Sequence, residues 1–306
     1  MSRLPNAYLI GAPKSGTTSL AHWLASHRDA YFSVPKEPYF WASDYPGLRA
    51  HYGFETERAY AELFASAEAQ QAACLAEGST VYLYSTTAIP AIMAATPNAR
   101  IILALRNPAD LVVSYHRTQV VALNEDLANF DMAWQRSLAG SAPAVKPLDD
   151  KLVDYPHVGS LGSAVDRLLQ YVPRQQIHVV LFEDLQQRPS HVWRQLCQFL
   201  ELSPDPEPTF IVRNPSTKQY RSAWVRRLTH RPPRVLEQPM RNLRQWSRTT
   251  DIRAAKAVKK WMWRPAPRPD ALAERRLELM SYFDSEVEKL ERRLSLDLRA
   301  WRPAGS

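Results

Sequence analysis

The sequence predicts an α/β fold in which helices cover both faces of a parallel β-sheet. Short apolar runs alternate with helical stretches through residues 1–202. These runs hold few polar residues, as is typical of parallel strands that are buried on both faces. A turn rich in glycine, proline and serine joins the first run to the first helix, a place where such sheets bind anions. The strands are expected to start at Tyr8 and to cover 31–34, 79–84, Arg100–Leu105 and Ile177–Leu181.

Helical periodicity and helix-start signals predict the helices between these strands. The first helix is opened by Thr17 and Thr18 and continues through 19–26, with an apolar stripe on one side. Pro108 is expected to begin another helix, because a proline at the first helical position loses no hydrogen bond. Residues 139–156 are rich in proline, aspartate and lysine and indicate a loop near the site. The other helices are expected at 57–76, 89–95, 162–171, 190–200 and 269–294.

The loop after the first strand has the composition of an anion-binding site. It runs from Gly11 to Gly16 and enters a helix that starts with two threonines. The backbone N–H groups at such a helix N-terminus are unpaired, and the helix dipole there favours negative charge. Lys14 adds a cation inside the loop. The stretch therefore predicts a P-loop-like, nucleotide-binding architecture that holds a phosphate-like anion.

This loop departs from the pattern of nucleoside-triphosphate enzymes, which is G-x-x-x-x-G-K-[ST]. Gly11 and Gly16 have the required spacing, but Thr17 stands where the lysine is expected, and the lysine is Lys14 instead. The fourth expected strand runs into Arg106, and no acidic residue that would help to hold Mg²⁺ is identified at the end of a neighbouring strand. These departures favour an anion that is transferred without a metal. A sulfuryl group fits, because it carries less charge than a phosphoryl group and needs less neutralisation.

Three stretches together resemble the sulfotransferases that use 3′-phosphoadenosine 5′-phosphosulfate (PAPS). They are the loop 13–18 with its preceding strand, the segment 101–114, and the segment 159–199 with its sequence VVLFEDL. The style of the motifs is similar to that of the bacterial and heparan-sulfate-like members. The resemblance implies that PAPS is the sulfuryl donor and that no metal takes part.

The same resemblance implies roles for individual residues. Lys14 would stabilise charge on the oxygen that bridges sulfur and the 5′-phosphate, which makes it a candidate catalytic residue. Arg106 and Ser114 resemble the pair that binds the 3′-phosphate, and a planar guanidinium suits two parallel hydrogen bonds to phosphate oxygens. The loop residues that would hold the 5′-phosphosulfate together with Lys14 are Ser15, Gly16, Thr17, Thr18 and Ser19.

Glu37 is the candidate general base. In heparan-sulfate-like members a glutamate follows the second strand just before an aromatic pair, and the sequence KEPYFW at 36–41 resembles that arrangement. A carboxylate can take the proton of an acceptor hydroxyl if it lies within hydrogen-bond reach and burial raises its pKa. The histidine alternatives are His22 and His116, and both are expected to be ordinary packed or capped side chains.

Further positions bear on the acceptor. Some relatives carry a lysine after the acidic residue that corresponds to Glu77, where this chain has Gly78. Glu77 is therefore interpreted as structural or as a second acidic contact, and the acceptor side is expected to differ from that of heparan-type enzymes. Four aromatic side chains either line an acceptor cleft or pack in the core. They are Tyr39, Phe40, Trp41 and Tyr82.

The chain is interpreted as one domain, 1–306, with a PAPS-binding core at 1–202, a basic lid or acceptor region at 203–268, and a C-terminal helix at 269–306 that packs on the core. Lys218 and Arg221 lie where the family has a segment that closes over the nucleotide. They either reach its phosphates or belong to an exposed basic loop. The role of the basic region stays open between a lid, a dimer surface and a membrane-surface patch.

Composition limits the class of protein. Lys and Arg number 39 against 31 Asp and Glu, and the net charge of +8 suits an anionic ligand or serves solubility. No nucleic-acid-binding motif and no apolar run of about 20 residues occurs. Cys74 and Cys197 are too few for a disulfide framework and are expected to be packed thiols in a reducing compartment. The first strand follows the N-terminus without room for a signal peptide, so we expect a cytoplasmic, bacterial protein or a shortened chain.

The sequence thus predicts metal-independent, in-line transfer of a sulfuryl group from PAPS to a hydroxyl of a carbohydrate, lipid or small natural product. A small-molecule kinase or ATPase is an alternative, but it requires Mg²⁺ and a lysine after Gly16. A non-catalytic nucleotide-binding protein of the same fold is a third possibility, and the presence of both Lys14 and Glu37 counts against it. The identity of the acceptor and the oligomeric state stay open.

Overall fold

A computed structural model describes residues 3–210, 218–220, 263–265 and 272–303. Within these ranges, the side chains of 218–220, 263–265 and 272–274 are not described. Arg221 and most of the basic region 203–268 therefore lie outside the described residues, as does the side chain of Lys218.

A five-stranded, fully parallel sheet forms the centre of the fold. Its strands are β1 (Ala7–Gly11), β2 (Ala30–Phe32), β3 (Cys74–Glu77), β4 (Arg100–Leu105) and β5 (Ile177–Leu181). The spatial order is β2-β3-β1-β4-β5, which confirms the expected parallel α/β fold. The chain leaves β1 toward one edge of the sheet and leaves β4 toward the other. The carboxyl ends of these two neighbouring strands are thus the switch point at which open α/β sheets bind ligands.

Helices cover both faces of this sheet. They are α1 (Thr17–Ala25), α2 (Pro46–Tyr52), α3 (Glu57–Glu62), α4 (Ala67–Gln71), α5 (Ala88–Ala95), α6 (Pro108–Val121), α7 (Phe130–Leu138), α8 (Tyr155–Gly159), α9 (Leu161–Tyr171), α10 (Phe182–Gln187), α11 (Pro189–Leu200), α12 (Leu272–Tyr282) and α13 (Asp284–Leu294). Pro108 begins α6 as expected, and the side chain of Asn107 accepts a hydrogen bond from the N–H of Ala109 at its start.

Successive residues of the central strand feed two separate cores. All five residues of β1 are buried. Tyr8 and Ile10 belong to one apolar cluster, with residues of α6, α9 and α13, whereas Leu9 belongs to another, with residues of α1 and α11. This alternation follows from the two-residue period of a strand. It explains why the strands are apolar throughout, and it fixes the strand ends from which the loops project.

The region 57–84 differs from the expected helix and strand. The expected helix at 57–76 is two short helices, α3 and α4, because the side chains of Thr56 and Ser66 each begin a new helix by accepting an N–H hydrogen bond. β3 then occupies 74–77 and pairs with both β1 and β2, so tertiary pairing overrides the local alanine-rich composition. The expected strand at 79–84 is wrong, since Thr80–Leu83 forms a buried 3₁₀ turn.

Two other expected elements also differ. The helix expected at 269–294 is divided into α12 and α13 at Phe283, whose ring is buried and packs against Gly159. Leu279, Val287 and Leu290 of these two helices are buried, and so is Trp301. The segment 139–156 is not a loop throughout, because it ends in a 3₁₀ turn at Asp150–Val153 and in the start of α8.

Outside the main sheet, β6 (Lys218–Tyr220) and β7 (Trp263–Pro265) form an antiparallel pair. Both cysteines are free and buried, as expected for packed thiols. Among the helices that the structure describes, none combines the length and the apolar character that crossing a bilayer requires.

Candidate active site

A cavity of about 370 Å³ lies at the carboxyl ends of β1 and β4. Two sets of residues line most of it. The loop side comes from the segment after β1, from Arg106 after β4 and from Phe182, and its loop residues are Pro13, Lys14, Gly16, Thr17, Thr18 and Ser19. The helix side comes from α2, from the second half of α6 and from nearby loops, and consists of Leu48, His51, Tyr52, Tyr115, Thr118, Gln119, Val121, Ala122, Asn124, Leu148 and Leu152. Glu37, Tyr39, Thr80 and Val81 also line the cavity.

The loop after β1 passes close against β4, which requires glycine. A Cβ atom on Gly11 would lie 2.2 Å from the carbonyl oxygen of Ala104, and φ at Gly11 is +126°. Gly16 has a φ of +80° where it begins α1. Lys14 also has a left-handed backbone, with a φ of +68°, which costs a non-glycine residue roughly 1–2 kcal/mol. Such strain is characteristic of binding and catalytic loops.

Lys14 and Arg106 bring two cations together at the loop side. The pKa of Lys14 is lowered to about 8 by burial and by the charges of Arg106 and Arg117, while Glu37 acts in the opposite direction. The guanidinium of Arg106 donates a hydrogen bond to the Lys14 carbonyl at 3.1 Å and lies 4.5 Å from the ring centre of Phe182. Burial lowers the pKa of Arg106 as well. Two desolvated cations at one site favour the binding of an anion.

The expected hydroxyl donors divide into two groups. Thr17, Thr18 and Ser19 line the cavity, and they form the first turn of α1, to which Gly16 contributes no side-chain cap. Ser15 and Ser114 do not line the cavity, although both are buried. In the part of the chain that the structure describes, their hydroxyls have no hydrogen-bond partner. An unsatisfied buried hydroxyl costs about 1–3 kcal/mol, so a hydrogen-bond partner for either serine would stabilise the protein.

Glu37 faces the same cavity as Lys14 and is held by three partners. The Lys36 ammonium lies 2.7 Å from Oε1, and Oε2 accepts hydrogen bonds from the Tyr39 hydroxyl at 2.5 Å and from Thr80 at 3.4 Å. Burial raises the pKa of Glu37, but the charge and hydrogen bond of Lys36 and the two hydroxyl donors outweigh it. The net pKa lies below its ordinary value, which contradicts the expectation of a raised pKa. Glu37 is therefore ionised at neutral pH.

The helix side combines apolar and aromatic surface with a few polar groups. Tyr39 contacts the cavity and packs against Tyr52. Of the four aromatic residues considered as acceptor contacts, Tyr39 lines the cavity, whereas Phe40, Trp41 and Tyr82 pack around Tyr60 or in the core. The histidine at this side is His51, which sequence analysis missed because α2 was not expected.

The two histidines considered as bases lie elsewhere. His22 is exposed on α1, and the ring of His116 is hydrogen-bonded to the carbonyl of Leu127 at 2.8 Å and packed among aromatic rings. Neither lines the cavity. Both are thus ordinary side chains, as expected.

Glu77 ends β3 beside β1, so the inference that no acidic residue ends a strand next to β1 is wrong. Its carboxylate is fully buried and accepts a hydrogen bond from Tyr60 at 3.1 Å. Burial raises the pKa of Glu77 to about 8, against hydrogen bonds from Tyr82, Tyr60 and Ser79. Glu77 does not line the cavity, which supports its structural interpretation. Within the described ranges, no group of three or more His, Cys, Asp or Glu residues is placed to hold a metal ion.

Comparison with known proteins identifies the family to which this chain belongs. The profile of the sulfotransferase domain matches residues 4–261. A crystal structure of a sulfotransferase from Alicyclobacillus acidocaldarius superimposes with a TM-score of 0.69 and 25% identity, and the match covers 98% of this chain and 100% of that one.

Curated relatives agree with the predicted resemblance. The bovine (Bos taurus) bifunctional heparan sulfate N-deacetylase/N-sulfotransferase 2 is 25% identical over 98% of this chain and 31% of its own length. The membrane-associated sulfotransferase kil1 of Dictyostelium discoideum is 32% identical over 37% of this chain and 23% of its own length. The chain therefore spans less than a third of these two relatives. With the family profile over most of its length, the chain belongs to the sulfotransferase family.

Proposed function

We propose that this chain transfers a sulfuryl group from PAPS to a hydroxyl of a small acceptor, a lipid or a carbohydrate, without a metal. The observation that carries the proposal is that a half-buried lysine and an ionised glutamate face one cavity. Lys14 lies on the strained loop after β1, and Glu37 follows β2. A carboxylate does not assist anion binding, so its place beside the anion-binding loop favours a catalytic role. The pair is suited to a reaction that needs both a cation and a base.

Each residue at the loop side has a role in this reaction. PAPS supplies an activated sulfuryl group, and Lys14 with the first turn of α1 would stabilise the negative charge that develops on the departing oxygen. Thr17, Thr18 and Ser19 would donate hydrogen bonds to the 5′-phosphosulfate, and Arg106 would pair with the 3′-phosphate. Ser15 and Ser114, which do not line the cavity, would support these residues from the buried side. Lys218 and Arg221, in the segment after residue 210, would contribute positive charge to the nucleotide site.

Glu37 would accept the proton of the acceptor hydroxyl. Its carboxylate is ionised and lines the cavity, and about a quarter of the side chain is exposed (26%). A base with a lowered pKa is weaker than one near pH 7, but it is fully in the reactive form at neutral pH. The proton would leave through the exposed part of the carboxylate.

The helix side supports a small acceptor with an aromatic or aliphatic body. Leu48, Val121, Ala122, Leu148 and Leu152 form apolar walls there. Such walls bind uncharged organic molecules better than a polyanion, which needs cations on the protein. The acceptor would thus differ from the heparan sulfate in the names of the curated relatives.

Radiolabelled transfer tests the proposal. The purified protein would be incubated with [³⁵S]PAPS and a panel of p-nitrophenol, an aliphatic alcohol, an amino sugar and N-deacetylated heparosan. We expect labelled product that survives EDTA and falls by about 10²–10³ in Lys14→Ala, since that substitution removes the main charge-stabilising group. His22→Ala, on the exposed side of α1, is the matched control and should be fully active. Product formation at the wild-type rate in Lys14→Ala would refute the proposal. So would transfer of a group from ATP with Mg²⁺ in place of PAPS.

A further inference from the structure

One side chain joins the anion-binding loop to the candidate base. The ammonium of Lys36 lies 2.7 Å from Oε1 of Glu37 and donates a hydrogen bond to the hydroxyl of Thr17 at 3.2 Å. Thr17 is the first residue of α1, and Glu37 belongs to the turn after β2. The two segments belong to different parts of the chain, one at the start of α1 and the other after β2. Lys36 therefore makes a direct polar bridge between the two halves of the proposed chemistry.

The backbone and surroundings hold Lys36 in this place. Its carbonyl accepts a hydrogen bond from the N–H of Gly78 at 3.1 Å, at the end of β3. A Cβ on Gly78 would lie 2.7 Å from the carbonyl oxygen of Leu9, so a larger residue at 78 would displace this contact. The Lys36 side chain is itself mostly buried, with 19% of it exposed. A buried, hydrogen-bonded ammonium is far more restricted than a surface lysine, which fits a defined role.

We propose that Lys36 is a positioning residue that holds the Glu37 carboxylate in place at the cavity and links it to the anion-binding loop. The inference rests on the proposed function. In this arrangement Lys36 occupies Oε1, while Tyr39 and Thr80 donate to Oε2, so the carboxylate cannot rotate without losing a partner. A negative group bound against Thr17 would also lie beside the same ammonium. Lys36 would then contact Glu37 and the bound anion at the same time.

The other described groups around Glu37 are less suited to this positioning role than Lys36 is. Tyr39 is a neutral donor, because burial and the Glu37 charge raise its pKa well above the ordinary value. Burial likewise raises the pKa of Tyr115 on α6, which also interacts with the charge of Glu37. Among the described residues, Lys14 is a further cation that interacts with Glu37, and its pKa is lowered to about 8. Among the influences that lower the pKa of Glu37, Lys36 contributes the largest.

The test measures the titration of Glu37 directly in the ligand-free protein. The side-chain carboxyl carbons of glutamate would be labelled with ¹³C, and the Glu37 signal would be assigned by its loss in Glu37→Gln. We expect the midpoint in the wild type to lie below that of an ordinary glutamate. Lys36→Met keeps the length of the side chain and removes the charge, so the midpoint should rise, whereas Lys36→Arg should stay near the wild type. A midpoint that does not move in Lys36→Met would overturn the inference.

Two further results separate this inference from the proposed function. If Lys36→Met does not fold, the wild-type midpoint still decides, because a value at or above that of an ordinary glutamate contradicts the bridge. Where transfer is measured, the acid limb of the pH profile of kcat/KM should move to higher pH in Lys36→Met, as a purely structural loss would not do. Absence of PAPS-dependent transfer in the wild type would refute the proposed function, while the ¹³C titration would remain informative about Lys36.

Discussion

The two sides of the cavity are built in different ways. The loop side comes from short continuous segments, with Lys14 and the start of α1 within six residues and Arg106 immediately after β4. The helix side comes from α2, α6 and the segment around Leu148, which are far apart in the chain. The loop side brings two cations, Lys14 and Arg106, close together, whereas the helix side consists mainly of apolar and aromatic side chains. The residues of the proposed anion site are thus encoded locally, while those of the proposed acceptor site are brought together by tertiary assembly.

The largest effect is expected at Glu37, which lies where the two sides meet. Glu37→Gln removes the base and keeps the shape, so the transfer rate should fall by about 10²–10⁴ while affinity for 3′-phosphoadenosine 5′-phosphate (PAP) is retained. Steady-state kinetics and calorimetry would measure the two quantities. Glu68→Gln, at an exposed glutamate, is the control. A Glu37→Gln variant with wild-type turnover would remove Glu37 from the mechanism and leave His51 as the next residue to test.

The strain of the loop side gives the next effect. Gly16→Ala places a Cβ 2.2 Å from the Leu185 side chain at a φ of +80°, so the free energy of unfolding should fall by about 1–3 kcal/mol and PAP binding should weaken. Gly140 is a matched control, since its φ is +64° and, apart from its two chain neighbours, no described residue has an atom within 4 Å of the added Cβ. Gly140→Ala should cost less stability and leave PAP binding unchanged. Equal losses in urea denaturation would show that the loop is not specially constrained.

A pH dependence should distinguish the two sides. Because the pKa of Lys14 is about 8 in the ligand-free protein, the ammonium is lost as the pH rises through that value. PAP affinity should therefore decrease above pH 8, by up to about tenfold per pH unit, and binding near pH 8 should take up a proton. Calorimetry in buffers of different ionisation enthalpy would measure both effects. In Lys14→Arg the guanidinium stays charged, so the decrease should disappear; a pH-independent affinity in the wild type would contradict the lowered pKa of Lys14.

The smallest effect is expected on the helix side. Val121→Thr replaces a methyl group by a hydroxyl of similar size, which should weaken binding of an apolar acceptor such as p-nitrophenol by about 1 kcal/mol, or roughly fivefold in KM. PAP affinity should not change. Val34→Thr, at an exposed valine, is the matched control. A change in PAP affinity with Val121→Thr would mean that the two sides are not separable.

The same difference explains how much of the molecule could be predicted from its sequence. The parallel sheet, the anion-binding loop and the arginine after β4 follow from local patterns of glycine, apolar runs and helix starts. β3 could not be predicted, because it follows an alanine-rich segment that favours a helix, and only pairing with β1 and β2 makes residues 74–77 a strand. The position of Glu77 depended on that strand and was therefore missed with it.

The surroundings of individual side chains could also not be predicted from the sequence. The neighbours of Glu37 in the chain suggested a partly buried base with a raised pKa. The structure places Lys36, Tyr39 and Thr80 around it, and Thr80 comes from a turn that had been assigned to a strand. The sign of the pKa shift depends on how the side chains of the neighbouring Lys36 and Tyr39 are oriented toward Glu37, with a smaller contribution from Thr80, and the sequence does not show these contacts. His51 was missed for the same reason, since a single histidine in an unassigned helix gives no local signal.

The most direct test of the account is calorimetric titration with PAP, the product of the proposed donor, compared with ATP plus Mg²⁺. The wild type should bind PAP with EDTA present and should prefer it to ATP. Arg106→Ala should weaken PAP binding by about tenfold to a hundredfold, the usual worth of hydrogen bonds to a charged group. Arg58→Ala, at an exposed arginine of α3, should bind as the wild type does. Preference for ATP with Mg²⁺, or an Arg106→Ala variant with unchanged PAP affinity, would contradict the assignment of the loop side to PAPS.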